Sequence, residues 1–556
     1  MAENNSVQYF LVAAGGTGMR CLQSFINLAA VGMFKEISKV HILLMDTDEE
    51  NKDKRNAENL VKAYERLFSS AKDAPGAFFK CELVLYPFVP DYSKDTRRNF
   101  IILSQLERGS SDVNHKLANI FFEDSVQEFD LSHGYRAQTH LGSYLMYHAF
   151  IEEIRKSVQD HVYGVNSQLY KFIDAVSKAN NTEARIFAFG SSFGGTGASS
   201  IPVIPRAISD CTKLISGGAI KTDNIYYGGV VLSSYFKFKA PSDAEKKKEK
   251  VIANSQFFNH NSASALNYYV NDYTISKTYK RLYLLGWPSQ YNVDLDQYKS
   301  QTLNTSQDQK TITGGKAQEN PAHIIEIFSA AAAHHFFDQQ FTSSNSLKDT
   351  HTTQFKYKSL MLGGGENAKM VVDADDIIFR MSKGANTTSS ENIIPEHEEL
   401  RKNLIAFYSI GALVHSEYKG NLMGLIDDLK LYNSTYDVNP EVLESFSFFL
   451  NYFTLIPKGD DGDGYLPGWL NQVFFTFEPQ ADKDFLELPN RFFGLDPSNW
   501  SIAYPELSKK APKNAFVTRF KKLHKNAGGS FGELVDNLRE TFYSFKLDSR
   551  VILQEE

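Results

Sequence analysis

Two short glycine-rich segments, each set between an apolar strand and a helix, constrain this chain more than any other feature. Val7 to Ala14 reads as a buried strand closed by Gly15-Gly16-Thr17-Gly18, and Met19 to Phe34 then carries helical spacing in Leu22, Phe25, Ile26 and Ala29. Arg185 to Phe189 repeats the plan: it runs into Gly190-Ser191-Ser192-Phe193-Gly194-Gly195-Thr196-Gly197, and a helix follows from Ala198. Val40 to Met45, Leu83 to Val89 and Asn224 to Leu232 add strands, and Tyr144 to Tyr163 adds a helix. Apolar strands alternating with helices predict an α/β fold, a doubly wound and mostly parallel sheet. In such sheets ligands sit beyond the carboxyl ends of the strands, where all of these loops fall.

Phosphate chemistry explains the composition of the two loops. Phosphoryl oxygens need several backbone N–H groups aimed at one point, and a helix N-terminus adds a favourable dipole. Glycine permits positive φ and removes the Cβ that would hold a phosphate off. Threonine or serine adds a hydroxyl without bulk. Either loop alone is equally readable as a tight turn, but a plain connection does not need the glycine density of Gly190 to Gly197. Two such loops on one sheet can grip two ends of a polyphosphate. A dinucleotide fingerprint fits poorly, because from Gly16 its third glycine falls on Cys21. The acidic end of the next strand also lies beyond the usual spacing of about 20 residues. No Walker A sequence occurs; Gly315-Lys316 has Lys310 where the first glycine would stand.

Phe189 to Ser200 resembles the signature of the tubulin/FtsZ superfamily, a Gly-Gly-Thr-Gly core between strand and helix, with Ser199 where a glycine is more usual. Ala13 to Met19 is similar to that family's first phosphate loop, and Asp46-Thr47-Asp48 to the loop after its second strand. The likeness spans roughly the first 270 residues and is closer to divergent bacterial tubulin-like proteins than to either main branch. It implies a guanine nucleotide, GTP or GDP, with Mg2+ as a further expectation. Gly15, Gly16, Thr17, Gly18, Met19, Gly194, Gly195, Thr196 and Gly197 would then hold phosphates, and Ser191 and Ser192 would be further nucleotide-binding residues. Asp46 and Asp48 would face a ribose hydroxyl or a hydrated magnesium ion, or else cap the strand exit. Asn261 resembles the base-contacting asparagine of the family's central helix; a capping or surface role is the alternative. Arg136 is open between a phosphate contact and a structural ion pair. The resemblance also implies self-association into filaments or oligomers, with GTP hydrolysis at subunit contacts. Tyr269 to Leu285 does not reproduce the family's hydrolysis loop, so the catalytic role is left open, with Glu319 and Glu326 as the nearest candidates and helix-cap chemistry at Asn320-Pro321 as the other reading.

Composition restricts the partners. A net charge of −7 over 556 residues gives no reason to expect nucleic acid or an anionic membrane. Three scattered cysteines and a polar start without a basic n-region predict a cytoplasmic protein with no disulfide framework or metal centre. Asp460-Asp461-Gly462-Asp463-Gly464 lacks the calcium-loop order of ligands, and His334-His335 point about 100° apart on a helix. The expected domains are a nucleotide-binding domain at 1–240, a connecting central helix at 241–275, a second α/β domain at 276–420 and a mixed C-terminal region at 421–556. The second half carries no motif and is the candidate surface for a protein partner. Two further functions stay in view: a non-polymerising, nucleotide-dependent adaptor or scaffold, and a Rossmann-like dinucleotide enzyme.

Overall fold

The computed structural model describes residues 7–48, 51–90, 134–135, 139–179, 182–218, 224–237, 254–286, 291–292, 324–339, 354–358, 361–362, 369–370, 402–407, 409–410, 436–437, 439–450, 455–457, 465–467, 500, 504–507, 512–525 and 528–546. Seven strands form one sheet: β1 (Gln8–Ala14), β2 (Lys39–Met45), β3 (Glu82–Phe88), β4 (Ala184–Ser191), β5 (Ile225–Leu232), β6 (Tyr279–Leu285) and β7 (Gln354–Lys358). Their order is β3-β2-β1-β4-β5-β6-β7 and every pairing is parallel. The expected α/β class and parallel sheet are therefore present.

Burial on both faces follows from strict alternation. Leu11 and Ala13 of β1, with Phe187 and Phe189 of β4, belong to one buried cluster. Phe10, Val12 and Ala14, with Ile186 and Ala188, belong to the other. Period two thus divides each apolar run between two helical layers. The first layer holds α1 (Gly15–Ala30) and α2 (Lys52–Ala71). The second holds α3 (Thr139–Gln159), α5 (Gln168–Lys178) and α7 (Ile204–Ser216), with the short α4 (His161–Asn166) between α3 and α5 and α6 (Thr196–Ser200) ahead of α7. Next in the chain come α8 (Phe258–Asn271) and α9 (Tyr273–Thr278), which bury Ala265, Tyr269 and Ile275 in this second layer.

The second half of the chain completes the same core. The helix α10 (Ile324–Asp338) buries Ile325, Phe328 and Phe336 in the cluster shared with α1. Helices α11 (Pro440–Leu450), α12 (Pro512–Leu523) and α13 (Phe531–Tyr543) contribute Phe446, Phe516 and Phe542 to it. Tyr64 of α2 lies 6.5 Å from Phe449, ring centre to ring centre. The boundary expected at 276 lies within α9, just ahead of β6, and the described later segments enlarge the N-terminal core. Among the described residues no helix is long and apolar enough to cross a membrane.

The docking of α10 depends on a small residue. A Cβ on Gly228 of β5 would lie 2.6 Å from the Phe336 ring. Gly228→Ala should overpack this contact and destabilise the fold by about 1–3 kcal/mol. Urea denaturation reads the loss, and Phe336→Leu in the same chain should recover part of it.

Candidate functional site

β1 and β4 are adjacent strands widely separated in sequence. From β1 the chain winds one way through β2 and β3, then returns to β4 on the other side. This reversal is the topological switch point, where an α/β sheet opens a crevice at its carboxyl edge. Ala13 pairs with Phe189, so both glycine loops leave the sheet at the same level and side by side.

They also touch. A Cβ on Gly15 would lie 3.0 Å from the Thr196 Cβ and 3.2 Å from the Gly197 nitrogen. Gly15 has φ +69, a left-handed conformation that glycine adopts without strain. The helices α1 and α6 start here, with Ala14 and Gly195 at their N-caps, and neither N-cap supplies a side-chain hydrogen bond. Two sets of helix-start N–H groups, each at the positive end of its helix, therefore open at one place.

The glycines divide by role. Gly18 is a packing residue: its Cβ would meet the Phe189 carbonyl oxygen at 2.9 Å and the Ala13 carbonyl carbon at 3.1 Å. Gly197 is another, since its Cβ would meet the Ser191 nitrogen at 2.8 Å. Gly16, Thr17, Gly194 and Gly195 are the half-buried members, at the mouth of the crevice. Gly195 has φ −74, so no left-handed geometry requires glycine there.

Several expected contacts are already engaged within the chain. The Met19 side chain is fully buried in the core. Ser191 is buried at the end of β4. The Ser192 hydroxyl donates to the Leu232 carbonyl at 3.1 Å and lies in hydrogen-bond contact with the Ser262 hydroxyl at 3.0 Å. The Thr196 hydroxyl donates to Asp46 at 3.3 Å. Asn261, on α8, is half-buried with its amide 3.5 Å from the Phe193 carbonyl oxygen, so the central helix does meet the second loop. Tyr269 and Tyr279 fasten the start of that layer by donating to the carbonyls of Ala198 and Ile201, each at 2.5 Å.

Beyond β2, Asp46 and Asp48 are both buried, 3% and 4% exposed. The Asp46 carboxylate accepts from the Asn51 amide at 2.8 Å as well as from Thr196. Burial first, and the Asp48 charge second, push its pKa up to about 6, against the pull of the Asn51 amide and the backbone of Asp48 and Thr47. Between these carboxylates, the buried Thr47 hydroxyl has no hydrogen-bond partner among the described residues. Asp53, in the first turn of α2, is also pushed up to about 6 by burial, which outweighs Arg20. One of its oxygens, Oδ2, has no hydrogen-bond partner.

Glu326 is not available to a neighbouring subunit. Wholly buried, it accepts from Arg20 Nε at 2.7 Å and from the Tyr235 hydroxyl at 2.8 Å. This ion pair ties α10 to α1, and Arg20 reaches Asp53 at 3.9 Å. Glu319, Arg136 and Asp460 to Gly464 lie outside the described residues. His334 and His335 have separate partners, Phe34 and Tyr283, and among the described residues no group of three or more acidic, histidine or cysteine side chains could hold a metal ion. Cys21, Cys81 and Cys211 are free thiols in the core.

Sequence reasoning missed Asn51, Arg20 and Asp53. Asn51-Lys52-Asp53 is a readable helix start, an N-cap followed by a first-turn acid. Arg20 was legible only as a lone cation inside an apolar helical run. No protein-family model matches the chain, and no curated protein matches it at a significant level.

The buried acids set a pH signature. The raised values of Asp46 and Asp53 lie above those of the unfolded chain, so folding takes up protons between about pH 4 and 6. Their contribution to stability is greatest at the acid side of that window and declines as pH rises through about 6. A displacement of this size is worth about 3 kcal/mol per group. Asp46→Asn should therefore raise the urea midpoint of the nucleotide-free protein at pH 7.5 and flatten the decline between about pH 4 and 6. An unchanged pH profile would show that Asp46 carries no such charge.

Proposed function

We propose that the chain binds a guanine nucleotide with Mg2+, in the manner of tubulin/FtsZ proteins, across its two glycine loops. The observation that carries the reading is the direct abutment of the two helix starts, Gly15 against Thr196 and Gly197. The half-buried N–H groups at Gly16, Thr17, Gly194 and Gly195 would hold the polyphosphate. Mg2+ would supply positive charge between phosphate oxygens and the carboxylates of Asp46 and Asp48, whose joint burial is otherwise unfavourable. Asn261, which lies against the Phe193 carbonyl, would contact the base.

Self-association on the nucleotide is part of the proposal, and hydrolysis is left open, because Glu326 is held by Arg20. The adaptor reading draws support from α10, which packs against α1 and is joined to it by that ion pair. Nucleotide occupancy would then act on the second half of the chain. A dinucleotide enzyme is the second reading favoured by specific observations. The strand order is shared with Rossmann folds, and Gly18 serves close helix–strand packing as that fold's third glycine does. The second glycine loop weighs against it.

Gly195→Asp separates binding from folding. An aspartate is a favourable N-cap, so α6 should hold or gain stability, within about 1 kcal/mol. The same carboxylate would occupy the anion position and repel phosphate. Calorimetric titration with MgGTP should show binding to the wild type and none to a Gly195→Asp protein of unchanged melting temperature. Equal affinity in both would overturn the site. Chromatography of nucleotide released from the denatured protein distinguishes GTP or GDP from a dinucleotide, and sedimentation with and without GTP distinguishes a polymer from an adaptor.

A further inference from the structure

We infer that Thr47 is a further ligand-contacting residue of this site, its hydroxyl donating to a phosphate oxygen in the space beside Gly134. The inference deepens the nucleotide reading above and rests on it. Thr47 follows β2, is 2% exposed, and its Oγ1 is buried without a hydrogen-bond partner among the described residues. The neighbouring Asp46 carboxylate is engaged elsewhere. Its Oδ1 takes the Thr196 hydroxyl at 3.3 Å and the Asp48 nitrogen at 3.4 Å, and its Oδ2 takes the Asn51 amide at 2.8 Å. A hydroxyl buried in this state gives up the hydrogen bonds that water supplies in the unfolded chain. Valine has the same shape and would avoid that cost.

The hydroxyl faces room rather than packed side chains. Leu43 and Met45 of β2 belong to the second helical layer, and Thr47 meets that side of the sheet at Gly134. A Cβ built on Gly134 would have Thr47 Oγ1, at 3.8 Å, as its one neighbour within 4 Å among the described residues. Gly134 is buried and has φ +81, in the left-handed region where glycine is favoured. The next residue seats this segment. Tyr135 is wholly buried, and a Cβ on Gly142 of α3 would lie 2.6 Å from its ring and 2.5 Å from Ser199 Oγ of α6. An unused donor therefore lies one residue from the carboxylate that touches the second glycine loop. A phosphate oxygen carries charge and accepts from several donors at once, which is the partner such a hydroxyl lacks.

Valine and serine at position 47 separate the hydroxyl from its shape. In Thr47→Val the urea midpoint of the nucleotide-free protein should rise, while calorimetric titration with MgGTP should show binding about tenfold weaker than wild type. Thr47→Ser keeps the donor and should bind MgGTP within about threefold of wild type. A hydroxyl with only a structural role would give the opposite sign in the first reading, because valine would then break an internal hydrogen bond. A lowered urea midpoint in Thr47→Val, or a Thr47→Ser that binds as weakly as Thr47→Val, would overturn the assignment. Wild type that binds no MgGTP would refute the nucleotide reading and the part of Thr47 in it together. Equal binding by wild type and Thr47→Val would remove Thr47 alone.

Discussion

The structure turns on the contact between two helix starts that leave neighbouring parallel strands at the same level. Because β1 and β4 pair in register, Gly15 and Thr196 meet where the winding of the sheet reverses. A Cβ at Gly18 or Gly197 would push the helices off the strand ends, and both would then separate. Close packing at this junction brings two positive helix ends together, an arrangement that calls for an anion. Nearby, the chain's own anions are carboxylates that are buried and reluctant to ionise.

This arrangement gives the polar interior a layered character. Asp46 is shared by α6 and the start of α2 through Thr196 and Asn51. Farther in, Arg20 is shared by Glu326 of α10 and Asp53 of α2. Buried charges of this kind contribute little net stability, since desolvation offsets the attraction, but removing one partner leaves the other exposed to the full cost of burial. They act as registration points between α1, α2 and α10. The second half of the chain is thus fastened to the helix that begins at the first glycine loop.

Much of this was legible in the sequence where a single local rule decided the outcome. Apolar runs gave β1, β2, β3, β4 and β5 within a residue or two, and with them the parallel sheet. The grouping of Gly15 to Gly18 with Gly194 to Gly197 and Asn261 was also readable, because each loop announces itself. Assigning work to each glycine was not. Gly18 and Gly197 look like phosphate glycines in the sequence, yet tertiary packing requires them, and Gly195, at φ −74, takes a conformation open to other residues. The contacts of Ser192 with Ser262 and of Glu326 with Arg20 were not legible, because these partners lie far along the chain. Past the expected boundary at 276 the sheet continues through Tyr279 to Leu285 and Gln354 to Lys358.

The most direct measurement is a crystal structure of the protein with MgGTP. The account predicts phosphate density within hydrogen-bonding distance of backbone nitrogens from both the Gly15–Gly18 and the Gly194–Gly197 segments, with the metal toward Asp46 and Asp48. Density that engages one loop alone, or lies away from both, would contradict it.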